Sequence, residues 1–540
     1  MTETRSLLAA LLIIAPSFSL NAQVTSEARL DAARGRILRD ARALGLQAYE
    51  DFPVSAAGAP LPVPAPPPTS PAPKSFYTMP QVPEPAPSPA LQDNSMPMGN
   101  TAGYAVVAWH AIAAAIADSG LLFWRDAAPG FEEISRSAEA AVGATRYASR
   151  RSGESSLLEE EGFVAEMEGV TGARFLEGNS ASPLIDGPAS FEAKDRLIRG
   201  ARKSVYIASY AFYDDVTGRE AADMLLERRR AGVDVKVMVD DKMANVFGKA
   251  LLERMRAGGV DVLRYRDADR PHDYLHMKIL IVDGESAIVG GMNFGDPYSH
   301  KGGGLKWRDT DVLYTGPAVT ETLAAFAREW NARYPDRTRH IAMPAAAAAR
   351  TGQARIASLP QNPPTLSPAI LNSILKAMAG ATRRINVENA YIVAIPAFER
   401  AVLAARARGV EVNILTNSKE SIDSDGKSMA DLIVKGTRVF AAAGANVYLK
   451  RGETLHSKFL TVDGVYANVG SYNLHPRSER YDAEFNVAIL DRGAAAALDA
   501  AFERDIAAAK KMTLAELERT ESGFLSRLLN AVGYSQLSPG

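Results

Sequence analysis

The sequence predicts an α/β fold built by duplication: two mixed β-sheet lobes flanked by helices, sharing one site at a pseudo-twofold interface. Three observations predict it. Apolar strand-length runs alternate with helical segments of about ten residues, as at 204–210, 221–230 and 231–240, the pattern of a largely parallel sheet covered by helices. The runs then return in order, so that 204–210 matches 384–391, 231–240 matches 408–417 and 258–264 matches 443–450. Finally, one polar constellation occurs twice. His276-Met277-Lys278, Asp283 and Gly290-Gly291-Met292-Asn293 are followed 180 residues later by His456-Ser457-Lys458, Asp463 and Gly470-Ser471-Tyr472-Asn473. Two such lobes meeting face to face would bring both histidines to one axis.

Within each copy the His and Lys alternate with apolar neighbours, so on a strand both polar side chains leave the same face. Asp283-Gly284 and Asp463-Gly464 read as tight turns into second strands at 286–289 and 465–469, and these aspartates are expected to hold the motif in shape. Glycine or Ser471 then permits close backbone approach, and the amides of Asn293 and Asn473 can donate to an anionic oxygen. Two His, two Lys and two Asn suit phosphoryl-group transfer from a phosphodiester. A neutral imidazole attacks phosphorus, a protonated one gives its proton to the leaving oxygen, and the lysines and asparagines stabilise the non-bridging oxygens. That requires neither metal nor cofactor. One histidine must start neutral and its mate charged, which an ordinary pKa of about 6.5 allows with small opposite shifts. Asp311 and Glu484, each leading into an apolar strand, are expected to accept from one imidazole nitrogen and so fix its tautomer.

The pattern HxKxxxxD with a trailing GGxN or GSxN, present twice, resembles the phospholipase D superfamily. Trp307-Arg308-Asp309-Thr310-Asp311-Val312, Gly316-Pro317-Ala318-Val319, Thr416-Asn417-Ser418 and Pro476-Arg477-Ser478 are similar to bacterial cardiolipin synthases, over roughly residues 160 to 535. The resemblance implies a metal-independent phosphatidyltransferase acting on glycerophospholipids through a phosphohistidine, with His276 as nucleophile and His456 as general acid. Tyr391, at a strand's C-terminal end where open α/β sheets place ligands, is a candidate lipid-headgroup contact, with a buried aromatic as the alternative. Two departures stand out: Gly291 where the superfamily often has Ser, which removes a hydroxyl, and Tyr481-Asp482-Ala483-Glu484 where these synthases usually have Asn before the acidic residue. Water as acceptor would make the chain a hydrolase. A secreted nuclease using the same site and an inactive binding module are the rival readings.

The chain has 540 residues and a formal net charge of -2, a balance that argues against a nucleic-acid backbone as the main partner. Cysteine is absent, which excludes a disulfide framework and lipoprotein attachment. Residues 1–22 read as a signal peptide with a nine-residue apolar core, too short to span a bilayer. This points to an exported enzyme, periplasmic or secreted, with peripheral membrane contact. Residues 23–52 read as an N-terminal helix, 53–98 as a proline-rich spacer with fifteen prolines after residue 52, and 99–160 as a helical lead-in. The lobes are expected at 161–345 and 355–511, and a C-terminal helix at 512–540, with Thr513 to Glu516 as a capping box. The whole reads as a monomer.

Overall fold

The computed structural model describes residues 131–143, 156–266, 273–362, 368–393, 395–423 and 430–519. The expected signal peptide, the helix at 23–52, the proline-rich spacer and residues 520–540 lie outside the described residues. The first half contributes strands β1 (Leu176–Ile185), β2 (Ser204–Ser209), β3 (Asp234–Asp240), β4 (Asp261–Tyr265), β5 (Tyr274–Leu275), β6 (Ile279–Val282), β7 (Ser286–Gly290) and β8 (Thr310–Thr315). The second contributes β9 (Ala354–Gln361), β10 (Arg384–Asn389), β11 (Glu411–Thr416), β12 (Asn446–Leu449), β13 (Lys458–Val462), β14 (Tyr466–Gly470), β15 (Asp482–Leu490) and β16 (Lys510–Met512).

In each half the chain first winds parallel strands around helices. Strands β2, β3 and β4 pair in parallel, as do β10, β11 and β12. The crossover helix Val216–Arg230 starts where the Asp215 carboxylate accepts from the Gly218 N–H, and it ends in three arginines that suit the negative end of its dipole. Its counterpart Pro396–Ala407 begins with proline, whose fixed φ fits the first helical position.

The sheet is not largely parallel, however. Past those units the pairing is antiparallel, because the strand that follows each histidine feeds a hairpin, β6–β7 and β13–β14. The turns need two successive residues at positive φ, supplied by Asp283 (57°) with Gly284 (70°) and Asp463 (54°) with Gly464 (69°). The Asp283 carboxylate accepts from the backbone N–H groups of Arg202, Lys203 and Ser204. Asp463 does the same for Thr382, Arg383 and Arg384. Each hairpin is thereby tied to the start of the strand beside it.

Nor do the lobes meet face to face. Their sheets join edge to edge, β9 pairing antiparallel with β1 across a register shift between Leu176 and Asn179, to give one sheet of sixteen strands among the described residues. Exposed edges demand partners, and here each half's edge finds the other. Helices on one side form a separate core for each half, whereas the opposite layer mixes them: Val312, Trp330, Phe459 and Phe485 pack in one cluster. Truncating a residue such as Phe485 to alanine would cost about 3–5 kcal/mol and loosen both halves together. The sheet ends in β16, and Thr513 with Glu516 forms a capping box on the short helix Leu514–Glu518. Among the described residues no helix is long and apolar enough to cross a membrane.

Candidate active site

His276 lies between β5 and β6, where the first half's chain is held by the second half's backbone. β5 runs parallel to β15, and the His276 N–H donates to the Ala483 carbonyl at 2.9 Å. Its Nδ1 sits 3.0 Å from both carboxylate oxygens of Glu484, on β15. The exchange is reciprocal. Residues 307–310 reach into the second half, where the Arg308 carbonyl accepts from the N–H groups of His456 (2.7 Å) and Ser457 (3.2 Å). The Arg308 guanidinium is buried there, its Nε 2.8 Å from Asp505 and a terminal nitrogen 3.3 Å from Glu388. Next to it, Asp309 Oδ2 stands 2.7 Å from His456 Nδ1. Each imidazole therefore belongs to one half and its carboxylate to the other. A carboxylate at Nδ1 can only accept, so that nitrogen carries the hydrogen and Nε2 is left with its lone pair. Each such bond to a charged group is worth about 1.5–3 kcal/mol.

Asp311 does not orient an imidazole. Its carboxylate pairs with the Lys194 ammonium at 2.8 Å and accepts from the Ser190 hydroxyl at 2.5 Å. Asp309 takes the role instead. Gly290 pairs with Asp311 whereas Gly470 pairs with Asn486, so Glu484 corresponds to the residue two before Asp311. Asp309 stands two residues before Asp311, at the entry to β8, so period-two alternation does not tell the two apart.

The same offset explains Gly291. A β-carbon at that position would lie 2.2 Å from Asp309 Oδ1, so the glycine is the room that Asp309 occupies, and not merely a lost hydroxyl. In the second half the matching Ser471 donates to Glu484 Oε2 at 2.5 Å, and Ser478 donates to Oε1 at 2.8 Å. Asp309 has the Thr310 N–H at 2.7 Å in their place.

The lysines follow the duplication closely. Lys278 Nζ donates to the His276 carbonyl at 2.5 Å, and Lys458 to that of His456. Each ammonium lies over a tyrosine ring at the end of its half's first parallel strand: Lys278 over Tyr210 at 5.1 Å, Lys458 over Tyr391 at 5.9 Å. Tyr210 also stands 5.1 Å from the His276 ring and Tyr391 6.4 Å from His456, while the Tyr391 hydroxyl donates to Asp423. The asparagines differ. Asn293 accepts from the Ala211 N–H and the Ser209 hydroxyl and donates to the Tyr298 hydroxyl at 2.9 Å, so it serves the loop first. Tyr298 in turn packs edge-on against His456 at 5.2 Å, and Trp307 stacks on that ring at 5.3 Å. Asn473 is buried, and its amide oxygen has no partner among the described residues. Tyr298, Trp307 and Asp309 are site residues that motif spacing does not single out, because each acts across the interface between halves.

Burial sets the electrostatics. It drives both imidazoles well below the ordinary histidine range, reinforced by the Lys278 ammonium at His276 and by Lys458 at His456. Burial thus favours the neutral form of both histidines, where the motif alone suggested one neutral and one charged. Burial also lowers Lys278 to about 7 and Lys458 to about 8, and raises Asp309 and Glu484.

Among the described residues, His276, Asp482 and Glu484 form the one group whose ligand atoms, all within 4.8 Å, could hold a metal ion. Their existing partners do not fit that use. Both Glu484 oxygens are taken by His276 and two hydroxyls, and Asp482 is paired with the Arg477 guanidinium at 2.9 Å, whose charge would repel a cation.

The family model described as "Cardiolipin synthase, PLD-like domain" matches twice, at residues 195–330 and 374–506. Among curated proteins, the chain is 28% identical to the major cardiolipin synthase ClsA of Bacillus subtilis over 64% of its own length and 72% of that protein's. It is 29% identical to cardiolipin synthase A of Pseudomonas aeruginosa over 63% and 69%. Among solved structures, phosphatidylserine synthase from Haemophilus influenzae superposes with a TM-score of 0.55 at 16% identity, covering 69% of this chain and 97% of that one, a likeness of fold. With both copies of the motif, the crossed histidine pairs and the twice-matched domain, the chain belongs to the phospholipase D superfamily and is similar to its bacterial cardiolipin synthases.

Proposed function

We propose that the protein is a phosphatidyltransferase of phospholipase D type, cardiolipin synthase-like, that cleaves a glycerophospholipid phosphodiester and passes the phosphatidyl group to an alcohol. The observation that supports this best is the crossed pair His276–Glu484 and His456–Asp309, flanked by Lys278 and Lys458. His276 Nε2 attacks phosphorus while its Nδ1–H stays on Glu484, and the P–N bond forms as the P–O bond to the leaving alcohol breaks. The leaving oxygen takes its proton from His456. Burial holds that imidazole neutral, so it takes up a proton from solvent as the anionic substrate binds, whose charge favours the imidazolium. His456 then takes the proton of the acceptor hydroxyl as that oxygen attacks the phosphohistidine and frees His276. Lys278, Lys458 and Asn473 supply positive charge and polar contacts to the non-bridging oxygens, and Tyr391 faces the headgroup. By the resemblance, His276 is the nucleophile.

No metal takes part in this scheme, so the test is run in EDTA with vesicles of phosphatidylglycerol, vesicles of phosphatidylcholine, and single-stranded DNA. Cardiolipin with release of glycerol supports the proposal. Phosphatidic acid alone would make the enzyme a hydrolase, DNA cleavage alone a nuclease, and no turnover of any of the three a binding module. We also propose export, on the strength of the signal-peptide pattern of residues 1–22. Recovery of an intact Met1 terminus from the cytosolic fraction would remove that part.

A further inference from the structure

The two halves differ at a further position beside the site. Gly295 precedes the short helix Asp296–Ser299 in the first half, and His475 precedes Pro476–Arg480 in the second, each two residues after its Asn. Where the first half has no side chain, the second has a third imidazole. It is 4% exposed and lies 6.4 Å from the Tyr391 ring, which in turn stands 6.4 Å from the His456 ring. Its Nδ1 accepts from the Ser478 N–H at 3.2 Å, with the Ser478 hydroxyl at 3.4 Å. That hydroxyl also binds Glu484, the carboxylate that holds His276.

These contacts fix the ring's chemistry. A nitrogen that accepts a backbone N–H carries no hydrogen, so a neutral ring has its proton on Nε2. Burial lowers this histidine to about 3, which keeps the ring neutral wherever the enzyme works. Nε2 has no hydrogen-bond partner among the described residues and, unlike the Asn473 amide oxygen, keeps some accessible surface, so its N–H stands open to an acceptor that enters the site.

We propose that His475 is a substrate-binding residue whose Nε2–H donates to a non-bridging oxygen of the phosphodiester, giving the second half-site a fixed donor that the first lacks. It neither attacks phosphorus nor moves a proton. The inference rests on the phosphodiester reading of the site, and the chemistry it assigns, one N–H to one anionic phosphoryl oxygen, is the same for a lipid or any other phosphodiester.

The test separates the two nitrogens of the ring. In His475→Asn the amide oxygen replaces Nδ1 and keeps the cap on Ser478 but cannot reach as far as Nε2. In His475→Gln the amide N–H approaches the place of Nε2 while the cap is lost. Binding of orthovanadate and inorganic phosphate is measured by calorimetry on the full chain, beside cardiolipin formation from phosphatidylglycerol vesicles. The expected result is that H475N binds either anion about tenfold more weakly and loses about 10²-fold in kcat at an unchanged Tm, whereas H475Q keeps anion affinity within about threefold of the natural protein at a lower Tm. Natural anion affinity and kcat in H475N, or equal loss of affinity in both variants, would overturn the proposal. If the natural protein binds vanadate but forms no cardiolipin, the assigned function fails while the anion arm still decides the role of His475.

Discussion

The two half-sites hold the same His and Lys in nearly the same way but support their carboxylates differently. Glu484 reaches across with a longer side chain and is braced by two hydroxyls, Ser471 and Ser478. Asp309 is one methylene shorter, sits where a serine side chain would otherwise be, and leans on the Thr310 N–H. The lesson is that duplication conserved the pairing, a carboxylate on Nδ1, and let the means of bracing it diverge. Each half also buries its partner's anchor: Arg308 and Asp309 of the first half lie within the second, and Glu484 closes over His276.

The comparison breaks most completely if the histidines are not equal partners. His276→Ala and His456→Ala are each expected to lower cardiolipin formation by more than about 10³-fold, because nucleophile and proton carrier act as one unit. An assay in which either variant turns over at the natural rate ends the two-half reading. Next come the carboxylates. Asp309→Asn and Glu484→Gln should each reduce kcat by about 10²–10⁴-fold with the fold intact, the order of effect seen when a histidine's orienting carboxylate becomes an amide. Asp311→Asn should instead act on stability, costing about 3–5 kcal/mol by leaving the Lys194 ammonium buried without its partner. Urea unfolding alongside kinetics tells the two behaviours apart, and the reverse result would restore Asp311 as the orienting group.

A smaller effect tests the braces. Gly291→Ser, which makes the first half look like the second, should push Asp309 off His456 and cost about 10–100-fold in kcat. Ser471→Gly should cost about tenfold, the loss of one bond to a charged group. Were Gly291→Ser harmless, the steric account of that glycine would be wrong. The mildest difference is in pH. With Lys278 near 7 and Lys458 near 8, kcat/KM, which reports the free enzyme, should fall as pH rises through that range and the ammonium groups lose their protons. Lys278→Arg, charged at every pH used, should move the start of the decline toward 8. The same shifts act on folding. Between about pH 8 and 10 the unfolded chain holds protons that the two native lysines have released, so their contribution to stability rises with pH there.

Much of this was legible in the chain itself. The twice-written His-x-Lys, the Asp-Gly turns at 283 and 463 and the parallel units β2–β4 and β10–β12 follow from spacing and apolar pattern. What was not legible is what the halves do to each other. The β1–β9 join is chosen by two sheet edges finding one another, and no local pattern in 176–185 or 354–361 names the partner. Asp309 and Asp311 stand two residues apart at the entry to β8, so only the pairing of Gly290 with Asp311 reveals which carboxylate meets an imidazole from the other half. The neutral state of both histidines likewise comes from burial at the join, which short-range sequence does not record.

One consequence of the crossed pairs concerns assembly. If the backbone were cut in the segment at 342–353 that leads into β9, each fragment would carry an imidazole whose orienting carboxylate sits on the other fragment. Complementation would then be bimolecular: specific activity would climb with fragment concentration, vanish on dilution, and return only as fast as the two pieces meet.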